Sequence, residues 1–195
     1  MKVIETSLPG VLIVEPARFG DARGAFMEVW NARRYADAGI PDRFVQDNVS
    51  RSTRAVLRGL HMQHPHAQGK LVQVLDGEVF DAAVDVRVGS EHFGRWTATV
   101  LSADNARQMW VPPGFLHGFC VLSETALFAY KCSDYYARES EMGVAWDDQD
   151  IGIDWPVDSP VLSAKDAGLP RLRDIPRDQL PRLSDLRHSL AIDGG

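Results

Sequence analysis

KLVQVLDGEVFDAAVDVR, residues 70–87, is the stretch on which the fold is decided. Two apolar, β-rich runs flank one Asp76-Gly77 dipeptide. Both runs read as β-strands. Asp-Gly between such runs is the signal of a tight type I′ hairpin. In the second run Phe80, Ala82, Val84 and Val86 face one way, and Asp81, Asp85 and Arg87 face the other. That is the period-two alternation of a strand.

The same texture extends outward in both directions. VLIVEP (11–16), AFMEVW (25–30), RFVQDNVS (43–50) and AVLRGLHM (55–62) precede it. WTATVL (96–101), RQMWVP (107–112), GFCVL (118–122) and TALFAYKC (125–132) follow. Each is bounded by Gly, Pro, Asp or Ser. Only NARRYADAG (31–39), with Gly39 placed to stop it, and parts of the C-terminal third look helical. Some ten short strands with few helices imply an all-β sandwich or barrel with short peripheral helices. Residues 1–170 are expected to form one domain. Residues 171–195 mix Pro, Arg and Asp with a thin scatter of Leu and Ile, and are expected to be short helix plus a poorly ordered tail.

Composition narrows the function classes. A chain of 195 residues suits one domain with a full core. Apolar residues at 45% and charged residues at 25% are ordinary for a soluble globular protein. The net charge of −6 argues against a general nucleic-acid binder. An anionic ligand would need a local cluster of Arg and Lys. Cys120 and Cys132 lie in apolar runs without a CxxC spacing, so both are expected as buried, reduced thiols, which suits the cytoplasm. The N-terminus has no apolar stretch resembling a signal peptide, and no run approaches a membrane span. There is no dinucleotide-binding glycine fingerprint and no P-loop.

The chemistry concentrates just before the opening stretch. His64-Pro65-His66 is followed by three residues, Lys70, six residues and Gly77. Further on, Pro112-Pro113-Gly114-Phe115-Leu116-His117 is followed by three residues and Val121. These spacings resemble the two histidine motifs of the cupin jelly roll, which implies a barrel with both motifs at one mouth. Two departures matter. Lys70 stands where a cupin has a carboxylate ligand, and Val121 stands where it has Asn. An ammonium in place of a ligand opposes a divalent cation at a cost of several kcal/mol in a partly dry pocket. His64, His66 and His117 are still a conceivable set for zinc or iron; the other reading places His64 and His66 in an exposed loop after their strand. A lysine in a dry pocket can instead stabilise a developing enolate. His61 is then the candidate base, because an ordinary imidazole with a pKa near 6.5 is half deprotonated close to neutral pH. It wants a carboxylate on its other nitrogen, and the residue pattern leaves open which Asp supplies it.

Ordered stretches over most of the chain carry a closer resemblance. They are FGDARGAFMEVW (19–30), FVQDNVSRS (44–52), RGLHMQ (58–63), KLVQVLDGEVFDAAVDVR (70–87), WVPPGFLHGFCVL (110–122), YKCSDYYARESEMGVAWDD (130–148) and DIGIDWP…LSAKD (150–166). Together they resemble the dTDP-4-dehydrorhamnose 3,5-epimerases, metal-free and cofactor-free enzymes on the cupin fold. The resemblance implies His61 as the base, Asp166 as its orienting carboxylate, and Tyr130 as the acid on the opposite face of the sugar. Lys70 would meet the C4 oxygen. Arg23, Glu28, Gln46 and Asn48 would bind the nucleotide end, with Phe19 and Phe26 as walls for the thymine. Arg58, His117, Glu141 and Lys165 would complete the contacts to a dTDP-4-keto-6-deoxy sugar. A homodimer in which the N-terminal strands of one subunit complete the other's pocket is implied as well.

Rival readings remain at this level: a single-centre deoxysugar epimerase, a metal-dependent cupin using His64, His66 and His117, and a non-catalytic sugar-binding cupin. Without the resemblance His61 reads as a satisfied core histidine and Tyr130 as a core aromatic. Arg23 reads as a turn arginine, and Lys165 and Asp166 as solvated surface charges. Geometry adds one expectation. Arg58 and His61 are three apart and point to opposite faces of a regular strand. Either a bulge near Gly59 re-aims one of them, or Arg58 reaches the site by its length.

Overall fold

The computed structural model describes residues 1–40 and 43–189. The strands are β1 (Lys2–Glu5), β2 (Leu12–Glu15), β3 (Arg18–Asp21), β4 (Gly24–Met27), β5 (Gln46–Thr53), β6 (Leu57–Gln63), β7 (Lys70–Asp76), β8 (Glu78–Asp85), β9 (Trp96–Ser102), β10 (Gln108–Val111), β11 (Phe115–Val121), β12 (Thr125–Cys132) and β13 (Glu141–Gly143). Among the described residues the α-helices are α1 (Ala32–Asp37), α2 (Ala164–Ala167) and α3 (Leu183–Ser189), all short. A six-stranded sheet in the order β1-β2-β10-β7-β12-β5 lies over a five-stranded sheet in the order β13-β6-β11-β8-β9, and β3 pairs only with β4. The fold is the all-β jelly roll expected of a cupin.

The core between the sheets joins Val72, Val74, Met109 and Phe128 of the first sheet to Val79, Ala83, Leu101, Phe115 and Phe119 of the second. The strand runs form because their alternate residues have this interior to enter.

Residues 70–87 form two strands, as their composition requires, but not the hairpin that Asp76-Gly77 suggests. β7 pairs with β10 and β12, whereas β8 pairs with β11 and β9. Asp76-Gly77 is therefore the corner at which the chain crosses from one sheet to the other. Gly77 has φ +79°, and a Cβ there would stand 2.1 Å from the Thr125 carbonyl oxygen. The dipeptide signals a left-handed turn. Which strands that turn joins is set by the longer-range pairing.

The alternation of β8 holds in direction, but both faces are buried. Asp81 and Asp85 have no exposed surface. Asp81 faces the interior with Val79 and Ala83. Asp85 is held by Arg87 and Ser90. The opposite face, with Val84 and Val86, is covered by the C-terminal third through Val144, Ile151, Leu172 and Leu180, and the Trp155 ring sits against Phe80. Of the short helix plus tail expected for 171–195, the helix is α3, and the chain before it packs against the sheet. Leu172 and Leu180 are only 7% and 2% exposed, and each buried leucine contributes roughly 1.5–3 kcal/mol. The rest of that expected tail, 190–195, lies outside the described residues.

Helix α1 matches its sequence signals. The Asn31 side chain accepts from the Arg34 N–H as N-cap, and Gly39, at φ +83°, ends the helix. Tyr35 seals it to the outer face of the six-stranded sheet beside Trp110, with its hydroxyl donating to Gln108 at 2.7 Å.

Candidate active site

The site lies between the sheets at one end of the barrel. Register explains which side chains reach it. Val72 is a core residue of β7, so Lys70, two residues earlier, shares its inward face. Tyr130 pairs with Val72 and with Asn48, so both point inward too, as does Gln46, which pairs with Cys132. From the facing sheet, His117 pairs with both His61 and Ala83. His61 and His117 thus enter from one wall, and Lys70, Tyr130, Asn48 and Gln46 from the other.

The expected bulge is present. His117 pairs with His61 and Phe119 with Arg58, so three steps along β6 match two along β11. The extra residue lets Arg58 and His61 line the same cavity. Gly59 carries the distortion at φ +133°, and a Cβ there would stand 2.6 Å from the Gly118 Cα.

A cavity of about 300 Å³ is lined by Ser50, Arg58, His61, Lys70, His117, Phe119, Phe128, Tyr130, Ser163, Lys165 and Asp166. An adjoining one of about 270 Å³ shares His61, Lys70 and Tyr130 and adds Gln46, Asn48, Gln63, Tyr136 and Glu141. His61 Nε2 and Asp166 Oδ1 are 2.6 Å apart. With Nε2 so engaged, Nδ1 is the nitrogen left to exchange a proton. Asp166 is buried, not the surface charge its LSAKD context suggests. It sits in α2, whose N-cap Ser163 accepts a hydrogen bond from the Asp166 N–H at 3.0 Å.

Four groups of the site, His61, Lys70, Tyr130 and Glu141, are displaced from their ordinary values. Burial lowers the His61 pKa below the ordinary 6.5, against the pull of Asp166, while Lys70 and Lys165 lower it further. The imidazole is therefore neutral at neutral pH. Burial also lowers the Lys70 amine, although Cys132, Asp81 and Glu141 act the other way. Burial raises the Tyr130 phenol, so it is held as an acid. Burial would raise Glu141 as well, but hydrogen bonds from Lys165 and Tyr136 outweigh it and hold the carboxyl below the usual range. Such a set can remove a proton beside a carbonyl, receive the resulting oxyanion charge at the Lys70 ammonium, and return a proton from the opposite wall.

His61, Lys70, Tyr130, Asp166, Arg58, His117, Gln46, Asn48, Glu141 and Lys165 are thus brought together. Arg58 Nε donates to Ser52 Oγ at 3.1 Å. Gln46 Nε2 donates to Asn48 Oδ1 at 3.1 Å. His117 Nε2 lies 3.0 Å from Asp81 Oδ1. The remaining four candidates are not brought there within this chain. Phe19 and Phe26 face each other across the β3–β4 hairpin, 65% and 70% exposed. Among the described residues Arg23, in the turn, is bound only by Asp21. Glu28 pairs with Arg34 and Asn31 beside α1.

Sequence reasoning missed Asp81, Ser50, Ser163 and Tyr136. Asp81 carried a usable signal, because it stands two residues from the apolar Val79 and Ala83. Ser163, three residues before Asp166, fits a helix start. The histidines of the metal-dependent alternative are not gathered: His66 projects from the β6–β7 loop, and His117 is engaged with Asp81. Among the described residues no three His, Cys, Asp or Glu side chains form a metal-holding group.

A family model described as dTDP-4-dehydrorhamnose 3,5-epimerase matches residues 5–174. The dTDP-4-dehydrorhamnose 3,5-epimerase of Shigella flexneri is 55% identical over 168 residues, which cover 85% of this chain and 93% of that protein. A dTDP-6-deoxy-D-glucose-3,5-epimerase from Legionella pneumophila Philadelphia 1, solved in complex with dTDP-4-keto-L-rhamnose, superimposes with a TM-score of 0.91 at 52% identity, covering 93% of this chain and 97% of that one. A dTDP-4-dehydrorhamnose 3-epimerase of Streptomyces niveus is 38% identical over 85% of this chain and 81% of that protein. With a family model spanning most of its length and relatives above half identity over nearly all of theirs, the chain belongs to the dTDP-4-dehydrorhamnose 3,5-epimerase family.

Proposed function

We infer that this protein is a dTDP-4-dehydrorhamnose 3,5-epimerase, an isomerase that inverts C3 and C5 of dTDP-4-keto-6-deoxy-D-glucose to give dTDP-4-keto-L-rhamnose. One observation supports the residue roles above all others. His61, held by Asp166 of α2, and Tyr130 enter one cavity from facing sheets, with Lys70 on the same wall as Tyr130. The C4 ketone acidifies the hydrogens at C3 and C5. His61 Nδ1 takes one of these protons, and the electron pair moves to the C4 oxygen beside the Lys70 ammonium. Tyr130 then delivers its phenolic proton to the other face of the same carbon. Each half-cycle leaves an imidazolium and a phenolate. His61 must lose its proton and Tyr130 regain one before the second centre reacts. Each acid–base partner contributes typically about 10²–10⁴-fold.

The protein works as a homodimer whose β3–β4 hairpin reaches the partner's pocket. A two-stranded hairpin that pairs with neither large sheet and presents two exposed phenylalanines and an exposed arginine suits an interaction surface. In this assembly Arg23 meets the diphosphate, Phe19 and Phe26 flank the base, and Glu28 lies close by. Free, buried Cys120 and Cys132 suit a cytoplasmic enzyme.

The test is to follow ring protons by NMR as the purified protein meets dTDP-4-keto-6-deoxy-D-glucose in deuterated water. Deuterium is expected at both C3 and C5. Label at C3 alone would make it a 3-epimerase, the activity named for the Streptomyces niveus relative. No label at either carbon would overturn the assignment.

A further inference from the structure

Ser50 is an inner-face residue of β5. It pairs with Phe128, which pairs in turn with the core residue Val74. Its Oγ is buried and has no hydrogen-bond partner, the one such side-chain atom among the described residues. The neighbouring polar groups on β5 are all engaged: Ser52 with Arg58, Asn48 with Gln46 and Cys132, and Gln46 also with the Tyr136 N–H. A buried hydroxyl left unpaired destabilises the protein that carries it. Alanine would fill the position beside the stacked rings of Phe119 and Phe128 without that penalty. The hydroxyl nonetheless lines the same cavity as His61, Lys70 and Tyr130, where a bound ligand can supply the missing partner.

The character of that partner follows from the other groups present. Arg58, Lys70 and Lys165 only donate, and they suit anionic or carbonyl oxygens. A serine hydroxyl both donates and accepts, as does a sugar hydroxyl. We propose that Ser50 is a substrate-binding residue whose Oγ hydrogen-bonds a ring hydroxyl of the bound keto-sugar, on the wall that carries Tyr130. This rests on the epimerase reading above and adds a contact to it.

Ser50→Ala and Ser50→Cys separate the possibilities, the second keeping the shape with a weak donor. Both are expected to lower kcat/KM for the keto-sugar by about tenfold, the worth of one hydrogen bond. Affinity for dTDP alone, measured by calorimetry, should not change. The melting temperature of free Ser50→Ala should equal or exceed that of the parent. Three results would each overturn the proposal: unchanged kcat/KM while the parent turns over, an equal loss of dTDP affinity, or a lower melting temperature for free Ser50→Ala. If the parent itself places no deuterium on the sugar, it is the epimerase reading that fails.

Discussion

In the proposed reaction His61 is the base, and two influences on its protonation are opposed. Burial disfavours the imidazolium, and Asp166 favours it. The net shift is downward, so the base form persists as pH falls through the range where an ordinary imidazole protonates. The acid limb of kcat/KM is therefore expected below pH 6.5. In Asp166→Asn the favourable charge is gone, so the limb of the residual activity should move further to acid while the rate falls. A pH–rate profile of both proteins checks the sign, and a limb displaced toward neutral pH would refute the pairing. His61→Ala should abolish deuterium incorporation at both carbons, a loss of at least about 10²-fold, while dTDP still binds. Lys70→Met, which removes the charge at similar volume, should cost about 10²–10³-fold in kcat. Two of these groups were legible as candidates from residue type and spacing: His61 in its cluster and Lys70 in a ligand's place. Asp166 was not, because its partner lies 105 residues away and only the family resemblance pointed to it.

At the scale of elements, the bulge in β6 and the four-residue helix α2 do the positioning. Gly59→Ala places a Cβ against the facing backbone at a left-handed φ, a strain of about 1–3 kcal/mol. Its melting temperature and its kcat should therefore fall together. Ser163→Ala removes the cap of α2 and should cost about 1 kcal/mol. Its activity should fall in the manner of Asp166→Asn but less far, as paired thermal melts and turnover would reveal. The strands themselves were readable where alternating apolar residues met turn residues, and α1 from Asn31 to Gly39. β1, β3 and β13 were not read as strands: they are at most four residues long, and β3 is wholly exposed. Local sequence also could not show that Asp76-Gly77 is a corner. β7 takes both its partners, β10 and β12, from thirty and more residues away, and β8 lies between β9 and β11 of the other sheet.

At the scale of the whole molecule, a shared pocket has a direct test. His61→Ala and Arg23→Ala should each be nearly inactive as homodimers. Mixing them under conditions of subunit exchange produces dimers in which one pocket keeps both residues intact. Activity should return toward a quarter of the parent's, and its failure to return would mean that each pocket draws Arg23 and His61 from one and the same subunit. The covering of the five-stranded sheet carries one more consequence. The segment that hides Leu60, Val84 and Leu116 from water is also the segment that delivers Asp166. A single protease nick that freed it would silence the enzyme and bare a sticky surface in one stroke.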